Sequence, residues 1–398
     1  MSVISNRDIF FKHIAQTSSA PIGLEILRAE GIYQYDISGS EYIDLISGFS
    51  VANIGHSHPK VIEAVKQQAE RYMHLIVYGE FIESPQTAYA KLLTNHLPAS
   101  LDCVYFTNSG TEATEGAMKL AKRVTGRPNI IAFNSSYHGS TQGALSVLGD
   151  EYYRNAFRPL LPGIFHVDYN SNEVFDLIDN NTACVILETI QAESGLAVPD
   201  KSWIQQLRNE CTKNGALLVL DEIQAGFGRT GALWAFEQFN IVPDILLLGK
   251  ALGGGMPLGA FISSKELIKQ LSFNPVLGHI TTFGGHPVSC AAGKAAFEVL
   301  LDEHYIETVK EKESVLIEQL NHPAIKRLNH FGLWASLQFG SVEIAQSIIH
   351  RCVAKGCITD WFLFAPDCLR IAPPLSITTE EIIKACKIIT ESIQEEAL

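Results

Sequence analysis

The chain has 398 residues, 46% of them hydrophobic, with a formal net charge of −13 and a pI near 5.5. That length suggests two or three domains around a large buried core, and the acidic balance argues against a nucleic-acid partner, which needs a basic patch. No apolar run approaches the length of a membrane span, the first residues lack the basic flank and apolar stretch of a signal peptide, and the eight cysteines form no Cys-x-x-Cys pair, so a reduced, cytoplasmic protein without a membrane partner is expected.

Residues 1 to about 20 read as an arm with one amphipathic turn (Ile9, Phe10, Phe11, Ile14). Segments 25–31, 32–36 and 42–45 read as an antiparallel meander turning at Ser38-Gly39. The loop Gly55-His-Ser-His-Pro59 leads into a helix from Lys60 to about Met73, with Val61, Ala64, Val65 and Ala69 on one face. From about 85 to 300 the pattern alternates. Helices are predicted over 85–97, 111–124 and 200–214, and strands over 103–106, 129–133, 183–188, 216–221, 246–248 and 258–262. Such alternation predicts an α/β architecture, a largely parallel sheet covered by helices on both faces. After a helix over 286–301 the chain changes character: helix 305–320, strand 333–339, helix 342–355, strand 368–371 and a closing amphipathic helix 379–395 make a smaller α+β unit. The expected division is an arm and part of the small domain over 1–55, a large domain over 56–300, and the remainder of the small domain over 301–398.

Two predicted strands end on chemistry. Ala216-Leu-Leu-Val-Leu runs into Asp221-Glu222-Ile223-Gln224, and Leu246-Leu-Leu-Gly runs into Lys250. A buried lysine loses its charge to desolvation and becomes a nucleophile able to form a Schiff base with a carbonyl cofactor. A nearby carboxylate suits a cofactor with a protonated ring nitrogen, the protein-side requirement of pyridoxal phosphate chemistry. The plainer alternative is a helix-capping Asp-Glu and a solvated Gly-Lys turn. Two further strand-to-loop junctions join these. Asn108-Ser109-Gly110-Thr111-Glu112 opens a helix, where free N–H groups and hydroxyls can seat a phosphate or simply cap the helix. Tyr137-His138-Gly139 follows another strand, where an aromatic ring can stack on a flat cofactor or pack on the core rim. His138 reads as a hydrogen-bonded loop residue, and no cluster has metal-ligand spacing. There is no Gly-x-Gly-x-x-Gly or Walker lysine pattern, so a dinucleotide or ATP site is not expected.

Taken together, Ser109-Gly-Thr-Glu-Ala113, Tyr137-His-Gly139, Glu188-Thr-Ile-Gln-Ala-Glu-Ser-Gly195, Leu220-Asp-Glu-Ile-Gln-Ala-Gly-Phe-Gly-Arg-Thr-Gly231, Lys250-Ala-Leu-Gly-Gly-Gly255, Thr281-Thr-Phe-Gly-Gly-His-Pro287 and Leu369-Arg-Ile-Ala-Pro-Pro-Leu375 span most of the chain. In this order they resemble the class III, or ω-, aminotransferases of pyridoxal-phosphate fold type I, with the acetylornithine and ornithine enzymes the nearest in look. The resemblance implies a transaminase using pyridoxal 5′-phosphate, a small-molecule amine donor and a keto acid, and a homodimer with a shared active site. It implies that Lys250 holds the cofactor and shuttles the proton, and that Asp221 pairs with the ring nitrogen. Tyr137 and Ile223 would contact the ring faces, Gln224 the phenolic oxygen, and Ser109, Gly110 and Thr111 the phosphate. Glu222 is expected among the cofactor contacts, and Thr282 is expected to reach the phosphate from the neighbouring subunit. Arg370 would grip a substrate carboxylate, with Glu193 able to neutralise it.

The sequence also departs from the family pattern. Thr189 and Ala192 stand where proline and glycine are usual, and Ser140 stands where acetylornithine and ornithine enzymes carry a carboxylate-binding arginine. Arg154 or Arg158 is the candidate to replace that contact, and Ser140 itself points toward the broader ω-amino-acid and amine transaminases. Pocket walls are expected near 47–50 and 73–81. An aminomutase or decarboxylase of the same fold would share the lysine and the aspartate. A non-catalytic binder could keep the fold.

Overall fold

The computed structural model describes residues 5–396. After a short helix, Asn6–His13, the strands β1 (Ile26–Glu30), β2 (Tyr33–Asp36) and β3 (Glu41–Asp44) form the antiparallel meander. Asp36 closes its second turn by accepting from the N–H groups of Ser38 and Ser40 at 2.8 and 2.9 Å, the local bonding that makes aspartate a turn residue.

The central sheet takes β4 (Cys103–Thr107), β5 (Asn129–Phe133), β6 (Ile164–Val167), β7 (Thr182–Glu188), β8 (Leu217–Asp221), β9 (Ile245–Leu248) and β10 (Gly259–Ser263) in the order β4-β10-β9-β8-β7-β5-β6. Only β10 runs antiparallel to its neighbours. Every residue of β7, β9 and β10 is buried, which is why these strands read as continuous apolar runs rather than alternating ones. The register sets Glu188 beside Asp221, and Asp221 beside Leu247. Two carboxylates therefore arrive together at the carboxyl edge of the sheet, where ligands of open α/β sheets bind. β6 went unpredicted because Ile-Phe-His-Val is short and half-exposed, an edge strand paired on one side only.

Beyond the helix Pro287–Asp302, β11 (Arg327–His330), β12 (Ala335–Gln338), β14 (Trp361–Phe362) and β15 (Ala365–Ile371) form a second antiparallel sheet in the order β11-β12-β15-β14, while β13 (Cys357–Ile358) leaves it to pair in parallel with β3. The helices Val342–Ala354, Thr379–Glu396 and Tyr305–Gln319 cover this part. Arg229, fully buried, joins these pieces. Its guanidinium donates to the carbonyls of Leu333 and Pro373 at 2.9 and 2.6 Å and to Ser47 Oγ and Asn53 Oδ1 at 3.1 and 2.7 Å. Those partners span the first 55 residues and the last third of the chain, so the loop after β8 is pinned to both.

Candidate active site

A cavity of about 290 Å³ opens at the carboxyl edge of the central sheet. Its floor comes from the ends of β7 and β8. Asp221 Oδ1 accepts from the Ile223 N–H at 2.9 Å, and Oδ2 lies 2.7 Å from His138 Nδ1. Glu188, alongside, accepts from the N–H groups of Tyr137 and Ala192, both at 3.0 Å. Burial, reinforced by the charge of Asp221, pushes the Glu188 carboxyl up to about 7.

Lys250 follows β9 and lines the same cavity. Its backbone is left-handed, φ +49°, a conformation costly for a non-glycine residue and commonest at functional sites. Burial pushes its ammonium down to about 8, with Arg370 adding to the effect and Glu193 opposing it. Tyr137 and Ile223 supply apolar wall.

The far end is the start of the helix Gly110–Thr125. Gly110 and Thr111 line the cavity, and Thr111 Oγ1 sits 2.7 Å from Thr141 Oγ1. Gly139 crosses directly over this turn. A Cβ on it would fall 2.3 Å from Thr111 Oγ1, and its φ is +125°, so only glycine fits there.

The acceptor-type groups stand behind Gln224. Its side-chain N–H donates to Glu193 Oε1 at 3.1 Å. Glu193 grips Arg370 with both oxygens, at 3.0 and 2.7 Å, the bidentate geometry that favours arginine over lysine. That ion pair holds the Glu193 carboxyl down to about 2 against the opposing effect of burial.

Not every expected residue reaches the cavity. Glu222 is turned into the protein body, accepting from Thr189 Oγ1 and from the N–H groups of Ala235 and Phe236. Adjacent residues of an extended segment face opposite ways, so Asp221 and Glu222 cannot both serve the site. Thr189, the departure from proline, is explained by this bond. Ser109 is the helix N-cap, its Oγ accepting from the Glu112 N–H. Thr282 is exposed in the segment before the helix Pro287–Asp302, outside this cavity, a position compatible with the expectation that it acts from a neighbouring chain. Arg154 bonds Glu151, the Leu148 carbonyl and the ring of His166, Arg158 bonds Glu151, and neither lines the cavity beside Ser140. Ser140 instead lies 3.1 Å from the Tyr137 hydroxyl. Conversely, His138 and Glu188 belong to the site though neither was assigned a role in it. The signal for Glu188 was its place at the end of a fully apolar run next to that of Asp221.

Among the described residues no group of three or more His, Cys, Asp and Glu could hold a metal ion. The aminotransferase class-III family model matches residues 14–393. The chain belongs to the class-III aminotransferases. An acetylornithine aminotransferase of Methanopyrus kandleri is 38% identical over 387 residues, covering 96% of this chain and 97% of that one. Ornithine aminotransferase 1 of Staphylococcus aureus is 37% identical, covering 93% and 94%. Among solved structures, the ornithine aminotransferase of Toxoplasma gondii, whose active site holds pyridoxal phosphate at partial occupancy, superposes with a TM-score of 0.90 at 28% identity, covering 99% of this chain and 96% of that one. An adenosylmethionine-8-amino-7-oxononanoate aminotransferase of Methanocaldococcus jannaschii gives 0.91 at 28% identity, covering 98% and 99%.

As a class-III aminotransferase the protein is a pyridoxal 5′-phosphate enzyme that takes an amine donor and a keto acid. Its residues fit that cofactor. Gln224 Oε1 and His138 Nε2 are buried polar atoms without partners, both from side chains that line the cavity, and such orphans call for a ligand or water. The helix start, the apolar walls, the carboxylate and the lysine together match a phosphorylated, cationic aromatic aldehyde.

Proposed function

We propose that this class-III aminotransferase moves a terminal amino group from an ω-amino acid or amine, of the acetylornithine, ornithine or 4-aminobutyrate kind, to a keto acid such as 2-oxoglutarate, in two half-reactions at one site. The observation that carries this reading is that Lys250, Asp221 and, through Gln224, the Arg370–Glu193 pair converge on one cavity. When bound, the cofactor supplies an aldehyde for the amino group and a ring that withdraws electrons from the amine-bearing carbon. Lys250 would hold it through Nζ, and the same amine is the group placed to hold or move a proton at that carbon. A pKa near 8 suits a group that must be nucleophile and acid in turn. Asp221, fixed by His138, would keep the ring nitrogen protonated. Gly110 and Thr111 would seat the phosphate, Tyr137 and Ile223 would pack on the ring, and Gln224 would bond the phenolic oxygen.

Arg370 binds the α-carboxylate of the keto acid after Glu193 yields, and stays closed on Glu193 while an amine without a matching carboxylate is bound. Among the described residues, Lys250 and His138 are the basic side chains that line the cavity. Ser140 in that lining, where acetylornithine and ornithine enzymes carry an arginine, supports amine-type donors over a strict acetylornithine enzyme. The segments around 73–82 and 273–283 leave Ile82 96% and Val276 73% exposed, with Met73 and Phe283 also largely exposed. So much apolar surface supports a homodimer, in which Thr282 would reach the partner's phosphate site. All eight cysteines are free thiols, mostly buried, which supports a reducing, cytoplasmic setting.

The test is a screen of the holoenzyme with acetylornithine, ornithine, 4-aminobutyrate and diamines against 2-oxoglutarate and pyruvate, reading the amino acid formed from the keto acid. No transfer from any donor by cofactor-loaded protein overturns the proposal. Carbon dioxide release, or an amino shift that needs no keto acid, would assign the site to a decarboxylase or an aminomutase.

A further inference from the structure

Arg370 faces a second carboxylate. Its Nε lies 3.1 Å from Asp360 Oδ1, in addition to the grip of Glu193. The Trp361 carbonyl accepts from the guanidinium at 3.1 Å, and the rings of Phe362 and Phe49 lie 4.2 and 5.2 Å from its central carbon. Arg370 is 1% exposed, Glu193 7% and Asp360 8%. One buried cation therefore serves two buried carboxylates: three of its five N–H donors bond Glu193 and the Trp361 carbonyl, and Nε faces Asp360 without an aligned hydrogen bond. The turn after Asp360 also holds Glu193 itself. Leu363 N–H donates to Glu193 Oε2, and Phe364 N–H to the Glu193 carbonyl, both at 2.9 Å.

A keto acid that reaches Arg370 brings one more negative charge into this cluster. Asp360 stays beside the site of entry at the level of the main chain, where the Arg370 N–H donates to its backbone carbonyl at 2.8 Å. Asp360 Oδ1 accepts no aligned hydrogen bond, so it acts on Arg370 as a charge.

We propose that Asp360 is a specificity-determining residue for the acceptor: its charge competes for Arg370 and weakens the hold of Arg370 on a substrate carboxylate, a cost that amines without a carboxylate do not meet. This rests on the reading of Arg370 as the acceptor-carboxylate site. The charged groups facing Asp360 are Arg370 on β15, Glu193 on the loop after β7, and Asp44 at the end of β3, whose carboxylate is in turn paired with His56. Burial pushes the Asp360 carboxyl up to about 6. It is therefore ionised near neutral pH and takes up a proton below that, relieving the repulsion.

The test uses glutarate, a dicarboxylate that cannot react, titrated calorimetrically into cofactor-loaded wild type, D360N and R370Q at about pH 8 and about pH 5.5, either side of the Asp360 value. At the higher pH D360N should bind glutarate at least roughly tenfold more tightly than wild type, well short of the roughly thousandfold that bare like charges about 4 Å apart would give at an effective dielectric of about 20. The gap should narrow at the lower pH. The KM for 2-oxoglutarate should fall by a larger factor than that for a monoamine donor. Equal or weaker glutarate binding by D360N overturns the proposal. If D360N does not fold, wild type alone decides: titration near pH 6 in two buffers of different ionisation heat should show proton uptake on binding, and none would sink it. R370Q should lose glutarate binding. If it binds as wild type does, the assignment of Arg370 is wrong; if it loses binding while D360N is unchanged, only the role of Asp360 fails.

Discussion

Lys250 and Glu222 show how much a single side chain's surroundings decide. A lysine in water titrates at about 10.4, but burial brings Lys250 to about 8. Its amine is charged below that value and nucleophilic above it. The rate at which cofactor-free protein takes up pyridoxal phosphate should therefore rise as pH increases through about 8, not through 10, and K250A should lose transamination by about 10³-fold or more. Absorbance of the bound cofactor reads the first and product formation the second. Glu222 is one residue from Asp221, yet its carboxylate is occupied by Thr189, Ala235 and Phe236. E222A should strand those donors and cost about 3 kcal/mol of stability, seen as a lowered denaturation midpoint, while the KM for both substrates changes little. A selective loss of cofactor affinity without loss of stability would return Glu222 to the site.

At the scale of elements, the site is a set of strand-to-loop junctions held at one sheet edge. The crossing of Gly139 over the start of the helix Gly110–Thr125 is its tightest point. G139A should displace Thr111 from its place in the proposed phosphate seat and add strain of about 2 kcal/mol or more, with dialysis of the holoenzyme showing faster cofactor loss than wild type. Full retention would mean that the loop relaxes without using Thr111. The strands and helices of this region were legible because buried parallel strands are uninterrupted apolar runs and their helices are capped and periodic. The helix predicted over 111–124 forms over Gly110–Thr125, and that predicted over 379–395 over Thr379–Glu396. The two-residue strands β13 and β14 carry no such signal. Cys357–Ile358 is extended because β3 offers it a partner, and Trp361–Phe362 because β15 does.

For the whole molecule, the exposed apolar segments around Ile82 and Val276 set the expectation of assembly. I82K should shift the protein toward monomer in light scattering and lower activity together with it, since its segment is joined to that of Thr282 by Gln86 Nε2 donating to the Gly285 carbonyl at 2.7 Å. An active monomer would show that each subunit completes its own site. Arg229 has the complementary role within one chain, with bonds to both ends of the sequence.

What the sequence determined by itself was chemical identity: a lysine and an aspartate each ending an apolar run, a glycine at a helix start, an arginine in Leu-Arg-Ile-Ala-Pro-Pro. These are local patterns, and covalent order is enough to show them. What only the tertiary structure decided was pairing and direction. That His138 holds Asp221, that Glu222 faces inward, and that Asp360 is a second carboxylate on Arg370 all depend on which groups meet in a low-dielectric interior. There the cost of leaving a charge or a hydrogen-bond donor unpaired selects one arrangement.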